Sequence, residues 1–323
     1  MTKPTNTLTS TSLGIFGLCQ VKYHWKYERR LRPIRETAGE ALTVGSAFHV
    51  GMDADDVDDG LTKLDAHFEQ RSKAILDEDW FAEDALRAKV RAMVMRSWER
   101  WPDRPELRES VFHCELPARD GKASEFEYAG KIDGLATGEV YDYKSLAKAV
   151  EFFASNRLSY QPTGYLWALG KEGHEVDRIV YRLIERPTIR RKIGRKKAGK
   201  RGPPESADEY EERCLEWLDE PGHIAEEEFF FTDAKAQAFE EHLRLITEQI
   251  LFIRERGSWM RNPHACRTWS RDCEYIGLCT QVADGTPLAD VHTDGYEVGD
   301  AHPELTPDVI VANDEGPEEK APF

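Results

Sequence analysis

Apolar residues follow two rhythms along the chain. Ile15, Phe16, Leu18, Cys19 and Tyr23 keep a helical spacing behind Ser10, Thr11 or Ser12, any of which can cap a helix. A second helix is predicted from near Thr43 through Val44, Phe48 and His49. Leu61, Leu64 and Phe68, then Leu86, Val90, Met93, Val94 and Trp98, extend helical periodicity over residues 61–100, until Pro102 and Pro105 end it. The rhythm then shortens to two. Val111–Leu116, Phe126–Asp133 and Glu139–Lys144 alternate as strands do, and Gly134 and Gly138 make the last two a hairpin. A helix around Tyr160–Leu169, a strand over Asp177–Glu185, and helices over Glu209–Leu218 and Ala234–Arg256 complete the pattern. Helix, strands, helix, strand is the order of an α/β core.

Charge divides the chain into regions. The 323 residues carry 44 Lys plus Arg against 60 Asp plus Glu, a formal net charge of −16. Residues 281–323 hold 11 acidic residues and one lysine, so their net charge is −10 and the first 280 residues carry only −6. A uniformly basic nucleic-acid coat is excluded, but a local basic patch is not. Nine of the sixteen residues in Arg186–Arg201 are Lys or Arg, without a core-forming pattern, and predict an exposed flap. The expected layout is a flexible N-terminus (1–10), a helical region with the first core helix (11–105), the core (106–256) with its basic insertion (186–201), a cysteine cluster (257–280) and a disordered acidic tail (281–323). Asp53–Asp59, five aspartates in seven residues, predicts an acidic loop. No run approaches the roughly 18 apolar residues of a membrane helix, and no apolar signal core follows the polar start. A soluble cytoplasmic protein without a membrane partner is expected.

The candidate chemistry is concentrated in Gly130-Lys-Ile-Asp133 and Asp142-Tyr-Lys144. Period-two geometry puts Asp142 and Lys144 on one strand face and Tyr143 on the other, with Asp133 across a tight turn. Two carboxylates and one ammonium then converge, and Glu115 on the preceding strand can add a third carboxylate. Such oxygens suit Mg²⁺ or Mn²⁺, and a bound ion can activate water and stabilise phosphoryl charge. The same acid-x-Lys triplet also occurs on solvated strand faces.

These motifs resemble the PD-(D/E)xK nuclease superfamily, and in particular its RecB-like and Cas4-like exonuclease branch. Asp133 matches the first acid, Asp142 the second and Lys144 the lysine, with Ile132 where the superfamily name has proline. Gly45-Ser-Ala-Phe-His49 matches the branch's early glycine–histidine motif, and Gln161-Pro-Thr-Gly-Tyr165 its Gln-x-x-x-Tyr motif. Pro162 fits a helix that begins near Tyr160. The resemblance implies a restriction-endonuclease-like core, in which a mixed central sheet is flanked by helices. It implies Mg²⁺ or Mn²⁺ on His49, Asp133 and Asp142, with Glu115 completing the shell. Lys144, Gln161 and Tyr165 would assist the hydrolysis of DNA.

Cys266, Cys273 and Cys279 lie close together in sequence, and three thiolates need a fourth ligand. Cys19, Cys114, Cys214 and His264 are candidates, and spacing alone chooses neither the ligand nor between zinc and iron–sulfur. The resemblance selects Cys19, because Cas4-like and AddB-like nucleases hold a [4Fe-4S] cluster by one cysteine before the core and three after it. Such a cluster would join the two chain ends. Family analogy also implies linear DNA ends, double- or single-stranded, as substrate, and a helicase, annealing or recombination protein as partner. Arg186–Arg201 is a candidate phosphate clamp. Arg29, Arg30, Arg32 and Arg35 form a second basic group interleaved with Tyr23, Trp25 and Tyr27, which can either stack on bases or line a buried helix face.

Overall fold

The structure, a computed structural model, describes residues 6–34, 40–73, 80–116, 124–149, 152, 156, 158–194, 196–197, 200–201, 203–268 and 271–306. Its centre is a six-stranded mixed sheet. Strand β3 (Leu107–Glu115) runs antiparallel to β4 (Glu127–Ala136), β4 antiparallel to β5 (Gly138–Leu146), β5 parallel to β6 (Val176–Glu185), and β6 antiparallel to β9 (Ile224–Phe230). The turn into β5 is tight, and Gly138 takes φ +83°, a conformation that favours glycine.

The sixth strand, β1 (Thr7–Leu8), pairs in parallel with Glu127 and Tyr128 of β4. The polar N-terminus is therefore folded from Asn6 onward. Leu8 is fully buried, and the Glu127 N–H donates to the Asn6 carbonyl. Residues 1–5 of the expected flexible segment lie outside the described residues.

Helices cover both faces of the sheet. On one face α1 (Ser10–Leu18), α6 (Tyr160–Lys171) and α8 (Asp233–Arg256) bury Leu13, Phe16, Leu166, Phe239 and Leu243 against Tyr128, Ile179 and Leu183. On the other, α3 (Glu40–Met52), α4 (Val57–Ser72), α5 (Trp80–Arg100) and α7 (Ala207–Leu218) pack Phe48, Leu64, Met93 and Trp98 against Tyr143 and Ile184. The α/β expectation of a mixed sheet between helices is the architecture seen, and it is consistent with a restriction-endonuclease-like fold. No helix among the described residues is long and apolar enough to cross a membrane.

Local chemistry explains the helix ends. Thr9, rather than the serines and threonine after it, caps α1, and its side chain and Ser12 satisfy each other's backbone N–H groups. The chain turns extended at Cys19, with φ −162° and ψ 113°, before α2 (Gln20–Tyr23) and a π-helical turn over His24–Glu28. The aspartate run at 53–59 is a helix start: Asp56 caps α4, and Asp58 and Asp59 sit at the positive end of its dipole.

The C-terminal expectation needs correction. Residues 281–306, assigned to a disordered tail, are folded. Helix α9 (Ile276–Ala283) is followed by β12 (Tyr296–Val298), which pairs antiparallel with β2 (Leu31–Pro33). Composition hid this because the segment adds a strand edge and a few buried side chains, Val291, Ala301 and His302, rather than a periodic core face. Residues 307–323 lie outside the described residues.

Candidate functional site

The cleft forms where β4 and β5 part. Their ladder ends at Gly134 opposite Tyr141. One step further, Asp133 Oδ2 accepts the Tyr143 backbone N–H at 2.7 Å, so a carboxylate takes the place of the next rung. Asp142 and Lys144 face the cleft together and form an ion pair, while Tyr143 turns into the opposite core and receives a hydrogen bond from Arg182 at 3.0 Å.

Helix α3 brings His49 over this gap. His49 Nδ1 lies 3.5 Å from Asp133 Oδ1 and 3.9 Å from Glu109 Oε1. Ligand atoms of His49, Glu109 and Asp133 all fall within 4.8 Å of one another, a spacing that could hold a metal ion. Glu109 is a residue the sequence reasoning missed. Arg108 faces Gly134 and Ser110 faces Ile132, so antiparallel register puts Glu109 across from Asp133. Its backbone takes φ +47°, a left-handed conformation costing about 1–2 kcal/mol for a non-glycine residue. Lys131, on the same strand face as Asp133, ion-pairs with the Glu109 carboxylate.

Glu115, the expected third carboxylate, is corrected by the same register. It pairs opposite Glu127 at the other end of β3, exposed, and roughly 20 Å of strand separates it from Glu109. The available signal was register counting from the hairpin back across β3. It was lost because the strand begins at Leu107, four residues before the alternation becomes clear.

Helix α6 supplies the third wall. Ser159 caps it, Pro162 falls in its first turn, and Gln161 Nε2 donates to the Tyr165 hydroxyl at 3.0 Å. Two glycines allow close packing here, Gly130 against Tyr165 and Gly164 against Tyr128. A Cβ on Gly130 would stand 2.5 Å from Phe112 Cζ and 2.8 Å from Tyr165 Cε1, and one on Gly164 would stand 2.2 Å from the Tyr128 hydroxyl. Gly130→Ala is therefore expected to displace the Tyr165 ring and cost about 1–3 kcal/mol of stability, read by denaturant unfolding. An unchanged midpoint would contradict this packing.

Burial sets the electrostatics. Asp142 is only 2% exposed, and desolvation, with Asp133 nearby, pushes its pKa up to about 6 despite Lys144. Burial likewise raises Asp133 and Glu109. Desolvation and then the Lys144 charge lower His49, leaving a neutral imidazole suited to a metal. Burial disfavours the Lys144 ammonium, but Asp142 and Asp133 outweigh it and raise its pKa. In the metal-free protein the raised Asp142 pKa means the folded state binds more protons than the unfolded chain between about pH 4 and 6. This group's stabilising contribution is complete below that window and is lost as pH rises through 6. A divalent cation needs the carboxylates ionised, so it should offset the loss. Saturating Mn²⁺ is expected to raise the melting temperature by about 5 °C at pH 7.5 and by much less at pH 5. Equal shifts at both pH values would contradict a carboxylate metal site.

The structure gathers Cys19, Cys266, Cys273 and Cys279 around one small cavity, which Lys22 and Arg261 also line. Cys114 and Cys214 lie instead in the two cores flanking the sheet, and His264 does not line the cavity. The placement thus groups Cys19 with the C-terminal three. Four soft sulfur donors with two cations beside them could hold a zinc ion or an iron–sulfur cluster.

The basic segments divide by role. Arg191 pairs with Asp84 at 2.7 Å and lies over Phe81, so it anchors the insertion to α5. Lys196–Lys197 and Lys200–Arg201 form a short antiparallel hairpin, while Arg195, Ala198 and Gly199 lie outside the described residues. Near the N-terminus, Tyr23, Trp25 and Tyr27 are fully buried and line a core rather than a stacking surface. Arg35 lies outside the described residues.

The family model of the PD-(D/E)XK nuclease superfamily matches residues 7–280. This chain therefore belongs to the PD-(D/E)XK nuclease superfamily, whose nucleases use divalent metals. Its structure is similar to a candidate exonuclease from Eubacterium rectale, with a TM-score of 0.48 and 10% identity, covering 87% of this chain and 94% of that one. It is also similar to the protein SSO0001, with a TM-score of 0.33 and 13% identity, covering 76% of this chain and 79% of that one. No curated protein sequence matches the chain.

Proposed function

We propose that the chain is a Mg²⁺- or Mn²⁺-dependent deoxyribonuclease of the RecB-like branch that degrades DNA from strand ends in recombination, repair or phage replication. The observation that carries this is the convergence of His49, Glu109, Asp133, Asp142 and Lys144 in one cleft of a PD-(D/E)XK chain. His49, Glu109 and Asp133, with Asp142 beside them, are the residues to hold the ion. A divalent ion there would supply an acidified water and neutralise charge on the scissile phosphate. Lys144, held by Asp142, orients the attacking water and steadies the oxygen on which negative charge grows. The Gln161 amide and Tyr165 phenol, fixed to each other, position the phosphate. The burial-raised Tyr165 pKa keeps its hydroxyl a neutral donor.

The four cysteines lining one cavity support the reading that Cys19, Cys266, Cys273 and Cys279 would hold a [4Fe-4S] cluster, with Zn²⁺ as the alternative for the same donors. Either would tie residue 19 to residues 266–279 and act as a staple rather than a catalyst. A helicase, annealing or recombination protein would present the DNA end.

Digestion of end-labelled linear DNA beside closed circular DNA tests this function. Progressive loss from linear ends with intact circles is expected, in single- or double-stranded substrate. Circles cut as fast as linear DNA would make the protein an endonuclease. Binding without cleavage would make it a DNA-binding subunit.

A further inference from the structure

We infer that the C-terminal strap 296–306 is a wall of the cleft and that Glu304 is a specificity-determining residue, blocking one exit so that only a strand end is accommodated. This deepens the exonuclease proposal and rests on it. The strap runs from the edge of β2 to the cleft that holds Asp133 and Asp142. Its first half is tied to the N-terminal region by β12 on β2, by the Gly299 N–H donating to the Arg30 carbonyl at 2.9 Å, and by Arg32 on the Asp300 carbonyl. His302 is 6% exposed and stacks on Tyr27, with ring centroids 5.0 Å apart. Beyond that anchor, Pro303–Thr306 line the same cleft as Asp133, Asp142 and Lys144.

Glu304 is fixed there. Its Oε1 accepts the Thr9 hydroxyl at 3.0 Å and lies 3.3 Å from His302 Nδ1. Thr9 is itself locked as the cap of α1. Burial disfavours the Glu304 charge, but His302, the backbone and Thr9 hold its pKa below the ordinary carboxylate value, so it is anionic at neutral pH. Its field reaches Tyr165, whose pKa it helps raise. A negative charge that lines the same cleft as Tyr165 and is held by Thr9 and His302 opposes an approaching phosphate. It discriminates, because specificity is gained by building repulsion against the competitor. The cleft that the strap helps to line holds about 330 Å³, at the lower end of small-ligand pockets. A strand that continued through it would bring further phosphates against Glu304 and the strap. A strand that ends there brings none.

The test compares wild-type protein, Glu304→Gln and a variant lacking residues 303–323, each with its cysteine site intact. The first readout is the ratio of closed circular to linear single-stranded DNA cleaved with Mn²⁺. The ratio is expected to rise about tenfold in Glu304→Gln and further in the deletion. The second readout, independent of cleavage, is anisotropy binding of oligonucleotides with free or hairpin-blocked ends, with Ca²⁺ present. The variants should gain affinity selectively for blocked ends. An unchanged ratio together with unchanged end preference would overturn the role of Glu304. Wild-type protein that cuts circles as readily as linear DNA would overturn the wall. Wild-type protein that cuts neither substrate would instead refute the nuclease proposal, and the binding arm alone would then decide whether the strap selects ends.

Discussion

Lys144→Ala is expected to lower the rate of metal-dependent DNA cleavage on the order of 10³-fold without unfolding the protein. Two effects add. The ammonium that orients the water and stabilises developing charge is gone. The Asp142 carboxylate, 2% exposed and already pushed up to about 6 by burial, also loses its principal neutralising partner. Its pKa should climb further, so at neutral pH it carries a proton more often and supports a metal less. The loss should therefore fall mainly on kcat and be partly recovered at higher pH and higher Mn²⁺. Lys144→Arg keeps the charge but replaces a compact ammonium by a planar fork, and should recover little activity. Steady-state kinetics over pH, with circular dichroism as a check on folding, reads each of these. Full activity in Lys144→Ala would place the chemistry elsewhere.

If the four cysteines hold the proposed metal or cluster, Cys279→Ser is expected to abolish its binding and to lower the melting temperature by more than about 10 °C. The reason lies in the third core. Cys19, Val21, Trp25, Leu31, Ala265, Tyr275, Leu278 and Val291 bury one another between the two ends of the chain. That core is small, and a four-sulfur site at its centre would supply much of what holds it. Its loosening would also free the strap, because β12 pairs with β2 beside it. Cys114→Ser and Cys214→Ser lie in other cores and should leave the metal content unchanged. Metal analysis by plasma spectrometry, absorbance spectra and thermal unfolding of the anaerobically purified variants would decide. Iron with matching sulfide indicates a cluster, and one zinc per chain indicates the alternative. Retention of full metal content in Cys279→Ser would remove that thiol from the site.

Much of the site is legible in sequence because strands and helices impose short, fixed periods. Asp142 and Lys144 share a face by period two, and Gln161 and Tyr165 meet across one helical turn. Gly130 and Gly164 are read only as motif letters in the sequence, whereas the structure shows Gly130 as the clearance for Phe112 and Tyr165 and Gly164 as the clearance for Tyr128 and Phe239. What escaped depends on long-range register. Glu109 becomes a cleft residue only once β3 is aligned on β4, and alternation alone suggested Glu115. Strand β9 was hidden because Glu226, Glu227 and Glu228 give it little hydrophobic pattern. The strap was hidden for the same reason. It is held by a strand edge, a stacked histidine and hydrogen bonds, and its acidic composition reads as a solvated tail.

The most direct test of the central claim is the rate of linear DNA cleavage as a function of Mn²⁺ concentration, for wild-type protein and Asp133→Asn. Asp133 is the shared point of the site, in contact with both His49 and the Tyr143 backbone. Wild-type cleavage should rise with Mn²⁺, saturate and vanish with chelator, while Asp133→Asn shows little cleavage at any concentration. Cleavage that persists without divalent metal, or survives in Asp133→Asn, would show that this cleft is not where the phosphodiester is broken.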